Sequence, residues 1–232
     1  MAYRLNGIDA SNPQGWMAAI GVVYILDRME KDVWMHWDGR LPVLEGIDPS
    51  KVIGTLLEYK AKSDLLDNLP TTRGAEKGSL DFTGGTVILS KVIRQMLDSV
   101  DHEVLVEALD HPWKNKDNIA NLGWDVNAIK LAATLPGEKN PSQANHKGVI
   151  AAQWLAAESL PLTSPVYPVR NRAFIWTTWS ISLDLQGIRS ILFSESVDWG
   201  GVKYKSQARP NGNLNYFEPS VLVDQCEPLV AT

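Results

Sequence analysis

Ser11-Asn12-Pro13-Gln14-Gly15-Trp16-Met17-Ala18-Ala19-Ile20-Gly21-Val22-Val23-Tyr24-Ile25-Leu26-Asp27-Arg28-Met29 is the stretch whose reading decides the fold. An asparagine cap followed by a proline at the first helical position is a helix start. From Trp16 to Met29 apolar residues fall on nearly every face, which predicts a helix covered on most sides by other elements. The run is too short to span a bilayer and is bounded by the polar pairs Pro13-Gln14 and Asp27-Arg28. It is therefore expected to be the central core helix. Just before it, Tyr3 to Asp9 alternates weakly, so the chain is expected to open strand then helix.

Working outward, Asp48-Pro49 starts a second helix that places Val52, Ile53, Leu56 and Leu57 on one stripe. Residues 68–78 read as loop, and the periodicity of Val87, Ile88, Val92, Ile93, Met96 and Leu97 predicts a further helix. Asp98 to Asp110 reads as a short helix with a solvated acidic face, and Asn127 to Leu135 is expected to be helical. A strong helix is expected from Val149 to Leu160, ended by Pro161. Residues 173–181 are rich in aromatic and β-branched side chains and read as a strand. Asp184 caps a short helix through Leu192, and strands are expected at 202–205 and 220–223. The expected class is α+β, predominantly helical with a small antiparallel sheet, as one domain over 1–232 whose lobes would be 1–160 and 161–232.

A formal charge of −5 argues against a protein that coats DNA irrespective of sequence, because that role needs cations along many phosphates. The single cysteine, Cys226, excludes an internal disulfide and a multi-cysteine zinc site. Residues 1–9 hold no secretory signal pattern, and a cytoplasmic location is the expectation. No phosphate-binding loop, dinucleotide glycine fingerprint, His-Glu-x-x-His zinc helix or Gly-x-Ser-x-Gly elbow occurs. No cofactor, metal or catalytic residue is expected.

Three weaker candidates remain. His102-Glu103 with Asp110-His111 could ligate a cation or shuttle protons in a metal-dependent enzyme, although a solvated helix face is the simpler reading. Gly84-Gly85 before a helix could present backbone N–H groups to an anion, or simply form a tight turn. From Leu160 to Phe217 the basic residues Arg170, Arg172, Arg189, Lys203, Lys205 and Arg209 outnumber Asp184, Glu195 and Asp198. Trp176, Trp179, Trp199, Tyr204 and Tyr216 are interleaved with them, giving the cations and stacking rings of a nucleic-acid surface. On the residues alone, an aromatic core edge with ordinary solvated cations explains the same letters.

Leu5-Asn6-Gly7-Ile8-Asp9-Ala10-Ser11-Asn12-Pro13, continuing through the helix to Val22, resembles the N-terminal pattern of type I-G (formerly I-U) CRISPR effector-complex proteins, in which an Asn-Pro pair precedes an "AxxG" helix. Further pieces fall in the expected order: Asp81-Phe82-Thr83-Gly84-Gly85, Gly123-Trp124-Asp125, Trp154 to Leu162, and Phe174-Ile175-Trp176-Thr177-Thr178-Trp179. The resemblance covers about residues 5–192 and, at this length, is to the shorter members related to an extension of the CRISPR helicase-nuclease. It implies a non-catalytic place in or beside a crRNA-guided antiviral complex, where base pairing reads the target and protein holds backbone and shape. The implied partners are other Cas subunits with crRNA, with target DNA and the helicase-nuclease as further candidates and no membrane. A protein-only regulatory or structural partner is the other non-enzymatic expectation.

Overall fold

Asn12 and Pro13 begin the central helix for separate physical reasons. Asn12 is extended and its side-chain oxygen accepts the Gln14 N–H at 3.1 Å, while Pro13 supplies a preset φ where no N–H is needed. In the computed structural model, which describes residues 1–69, 80–83, 87–128, 148–164, 173–192, 199–211 and 214–223, this helix, α1, spans Pro13–Arg28. All of Pro13 to Val23 is buried, as the all-round apolar pattern predicts. Helix α2 spans Pro49–Lys60 behind an Asp48 cap and buries Val52, Ile53, Leu56 and Tyr59. Helices α3 (Leu89–Ser99) and α4 (His102–Asp110) follow.

The main partner of α1 is α5 (Ile150–Glu158), itself buried from Ala151 to Glu158. Gly21 permits their close approach, since a Cβ there would lie 1.9 Å from the Leu155 carbonyl oxygen. Pro161 does not stop the helical path outright. The chain turns at Ser159 and resumes as α6 (Leu160–Thr163), with Pro161 in the first turn where its missing N–H leaves no gap.

Two small antiparallel sheets complete the fold. The first has order β1 (Ala2–Arg4), β3 (Leu41–Glu45), β2 (Trp34–Asp38). Its β2–β3 hairpin, absent from the sequence expectation, closes through Gly39-Arg40, with Gly39 at φ +61 as a two-residue turn demands at its first position. In the second sheet β4 (Ala173–Thr177) pairs with β5 (Lys203–Asn211), which also pairs with β6 (Leu214–Phe217) and the short β7 (Val221–Leu222). Between β4 and β5, α7 (Leu185–Leu192) starts where Asp184 accepts the Gly187 N–H.

The chain beyond β4 joins the sheets. Trp37 N–H donates to Trp179 O at 2.8 Å, and Met35 and Leu183 exchange a pair of backbone bonds at 2.8 and 3.0 Å. The expected α+β class therefore holds, with the single expected sheet divided in two. One hydrophobic core runs from Leu5 to Phe217 and draws on both sheets and the helices. Among the described residues no helix is long and apolar enough to cross a membrane.

Candidate nucleic-acid interface

Strand alternation sorts the basic and aromatic residues of the C-terminal third onto opposite faces. On β5, Tyr204, Ser206 and Ala208 point into the core, leaving Lys203, Gln207 and the exposed Lys205 and Arg209 on the outer face. Residues two apart on a strand are separated by about 7 Å, so Lys203 and Lys205 form a close cationic pair and Arg209 extends the row. Arg209 Nε is paired with Glu218 Oε1 at 3.0 Å, with both side chains partly exposed. Across the strands Lys205 faces Ile175 and Val221, and Arg209 faces Tyr216. The β7 edge is unusually apolar for an exposed strand: Val221 and Leu222 are 60% and 62% exposed. Val202 and Trp199, just before β5, are also exposed.

Of the rings expected to stack on bases, Trp176, Trp179 and Tyr204 do not lie on this face, whereas Trp199 is exposed before β5 and the half-buried Tyr216 stands opposite Arg209. Trp176 and Trp179 are buried, and each indole N–H is used internally, by Ala10 O and Met35 O respectively, at 2.8 Å in both cases. Trp176 stacks on Tyr204 at 5.7 Å and on Phe174 at 5.3 Å, while Trp179 meets Trp37 edge-on at 6.0 Å. Rings locked between core neighbours with their polar edges satisfied cannot open to receive a base. Their assignment to a nucleic-acid surface is therefore corrected to core packing. Arg189 is also off the face: it lies half-buried on α7, a helix that packs on α1 and α6, and its Nε is enclosed without a hydrogen-bond partner among the described residues. Arg170, Arg172, Gly84 and Gly85 lie outside the described residues.

Described residues of three of the pieces that carry the family resemblance, around Phe82, Trp124 and Phe174, meet the start of α1, whereas the Trp154 to Leu162 piece lies beside the end of α1, with Tyr24 and Arg28. Asn12 Nδ2 donates to Asp125 Oδ1 at 2.7 Å, and the Gln14 N–H reaches Trp124 O at 3.3 Å. The Trp124 indole donates to Leu80 O at 2.8 Å, Phe217 N–H donates to Gly123 O at 2.8 Å, and Asn215 N–H to Phe82 O at 3.1 Å. Phe82, Phe217, Phe174 and Trp16 then form a chain of ring contacts 4.7 to 5.7 Å apart. Asp125 is fully buried here, and loss of solvation raises its pKa against the pull of its hydrogen bonds. Asn12, Trp16, Phe82, Trp124, Asp125 and Phe174 thus each have a packing reason. A set of residues that pack on one another identifies a fold, and an activity has to be argued elsewhere.

No protein-family model, curated protein or solved structure matches the chain. The function must therefore be argued from side-chain geometry. His102 and His111 stand at opposite ends of α4, about 13 Å apart along nine helical residues, which is too far to share one ion. Among the described residues no group of three or more His, Cys, Asp or Glu side chains could hold a metal.

A third grouping, unannounced by the sequence reading, joins the sheets: Ser182 Oγ donates to Glu45 Oε2 at 2.7 Å, and His36 Nδ1 lies 3.4 Å from Ser182 Oγ and 3.5 Å from Glu45 Oε1. Its residues belong to β2, β3 and the segment after β4, so only the long-range pairing reveals it. A serine relay needs nucleophile and acid on opposite imidazole nitrogens. Here both meet Nδ1 and the serine is bonded to the acid, so the arrangement ties β2 to its neighbours and is not a relay.

Proposed function

We propose that the protein is a non-catalytic subunit or accessory of a type I CRISPR crRNA-guided effector complex, acting in the cytoplasm. The observation that carries the reading is the outer face of β5, where Lys203, Lys205 and Arg209 stand in a row beside the exposed apolar edge Val221-Leu222. A row of cations whose neighbours Trp176, Trp179 and Tyr204 are turned into the core suits contact with a phosphate backbone, which positions a subunit and reads no bases. An exposed apolar edge bordered by charge suits a protein neighbour in the same assembly. The ordered motifs and their convergence in one core support kinship with the type I-G group, and the net charge of −5 suits a subunit that touches nucleic acid over one small face only.

The reading is tested by an affinity pull-down of the tagged protein from its native cell, with and without nuclease. Bound proteins are identified by mass spectrometry and bound RNA by sequencing. Recovery of Cas subunits with crRNA is expected, with the protein contacts surviving nuclease. Recovery of neither Cas proteins nor crRNA would overturn it.

A further inference from the structure

Glu158, the last residue of α5, is 1% exposed, yet among the described residues no lysine, arginine or histidine pairs with it. Its carboxylate is held by neutral donors alone: Ser63 Oγ at 2.7 Å and the Trp154 indole at 2.9 Å on Oε1, and Tyr59 OH at 3.2 Å on Oε2. A carboxylate can accept about four hydrogen bonds, so one lone pair stays open on Oε2. An enclosed charge without a counter-ion is costly, and burial raises the pKa of this carboxyl, with Asp64 adding to the effect.

The carboxyl lies on the wall of a cleft of about 560 Å³, within the range of small-ligand sites. Tyr24 and Arg28 from the end of α1, Asp64, Leu65, Asn68 and Leu69 after α2, and Leu160, Pro161 and Ser164 around α6 supply the rest of the lining. Among the described residues the one cation lining the cleft, Arg28, is already engaged: it bonds Tyr24 OH at 3.1 Å and Asp64 at 3.3 Å and lies over the Tyr24 and Tyr59 rings. Two carboxylates therefore face the cleft against one committed guanidinium. The Ser164 hydroxyl adds an enclosed oxygen with no partner among the described residues. Leu65, Leu69, Leu160 and Pro161 make the remaining wall apolar.

We infer that this cleft binds a small molecule bearing a primary ammonium on an apolar stem. The ammonium donates to the open lone pair of Glu158 and to the Ser164 hydroxyl, and supplies the missing counter-charge. The stem lies against Leu65, Leu69, Leu160 and Pro161. None of these residues belongs to β5, so the inference stands independently of the nucleic-acid face.

The test is isothermal titration of the purified protein with hexylammonium chloride, compared with sodium hexanoate and 1-hexanol. Hexylammonium is expected to bind at one site, with hexanoate and hexanol at least ten-fold weaker. Glu158→Gln, which keeps the shape and one acceptor, is expected to weaken amine binding at least ten-fold. Leu69→Trp, which fills the cleft from its half-buried rim without touching the carboxyl, is expected to abolish it while thermal unfolding shows the fold intact. Equal binding of hexanoate, absence of saturable amine binding, or unchanged affinity in either folded variant would overturn the inference.

Discussion

Gly21→Ala adds one methyl group where α1 and α5 touch. The new Cβ would sit 1.9 Å from Leu155 O, whereas an ordinary contact begins near 3.4 Å, so the helices must part by about 1.5 Å. The obstructing atom is backbone, and no rotamer change relieves it. Insertion into a packed core costs about 1–3 kcal/mol when side chains can adjust. Here backbone must move, so a net loss of about 3 kcal/mol or more is expected, even after the gain of up to about 1 kcal/mol from replacing a helical glycine with alanine. Gly54 in α2 is the matched control: nothing lies within 4 Å of its added Cβ, so Gly54→Ala should stabilise by about 0.5–1 kcal/mol. Urea titration followed by tryptophan fluorescence measures both. With a slope of about 2–3 kcal/mol per molar, the midpoint should fall by about 1 M in the first variant and rise slightly in the second. A Gly21→Ala protein within about 0.5 kcal/mol of the parent would refute the proposed contact of α1 with α5.

Three further outcomes follow from the buried polar contacts. Asn12→Ala removes the α1 cap and the donor to Asp125 together, and should cost about 2–3 kcal/mol in the same urea assay. Trp176→Phe keeps a ring but leaves Ala10 O without its donor, which should cost about 1–2 kcal/mol while nucleic-acid affinity per folded molecule stays unchanged; weaker binding would return Trp176 to the interface. The Glu158 carboxyl binds its proton more tightly folded than unfolded, so its contribution is complete below the ordinary glutamate range and is lost as pH rises through the raised value. The stability of Glu158→Gln should therefore improve relative to the parent as pH rises above about 4.5, by at most about 1.4 kcal/mol per pH unit; urea titrations at successive pH values showing a constant gap would exclude a raised pKa.

What could be read from the sequence was mostly local. Asn12-Pro13, Asp48-Pro49 and Asp184 placed three helix starts because a cap acts on its own next turn. The β2–β3 hairpin also has a local signal, Gly39-Arg40 between two apolar-containing runs, because glycine supplies the positive φ at the first turn position. For the candidate interface, residue type alone misled: tryptophans that suit a stacking platform suit a core equally. The deciding signal lay in the order Lys203, Tyr204, Lys205, Ser206, because a strand carrying cations at odd positions must turn its ring to the other face. The Glu158 cleft had no such signal. Tyr59 and Ser63 reach Glu158 across 99 and 95 residues of chain, and only the packing of α2 on the rest of the fold brings them there.

The outer face of β5 is proposed to contact a nucleic-acid backbone. Its most direct test is the affinity of the purified protein for single-stranded RNA across a range of salt concentrations, with the folded triple variant Lys203→Glu, Lys205→Glu, Arg209→Glu alongside. Three phosphate contacts on a single strand predict a slope of about −2 in log affinity against log salt, and loss of most binding in the triple variant. Affinity indifferent to salt, or unchanged in the triple variant, would contradict the account.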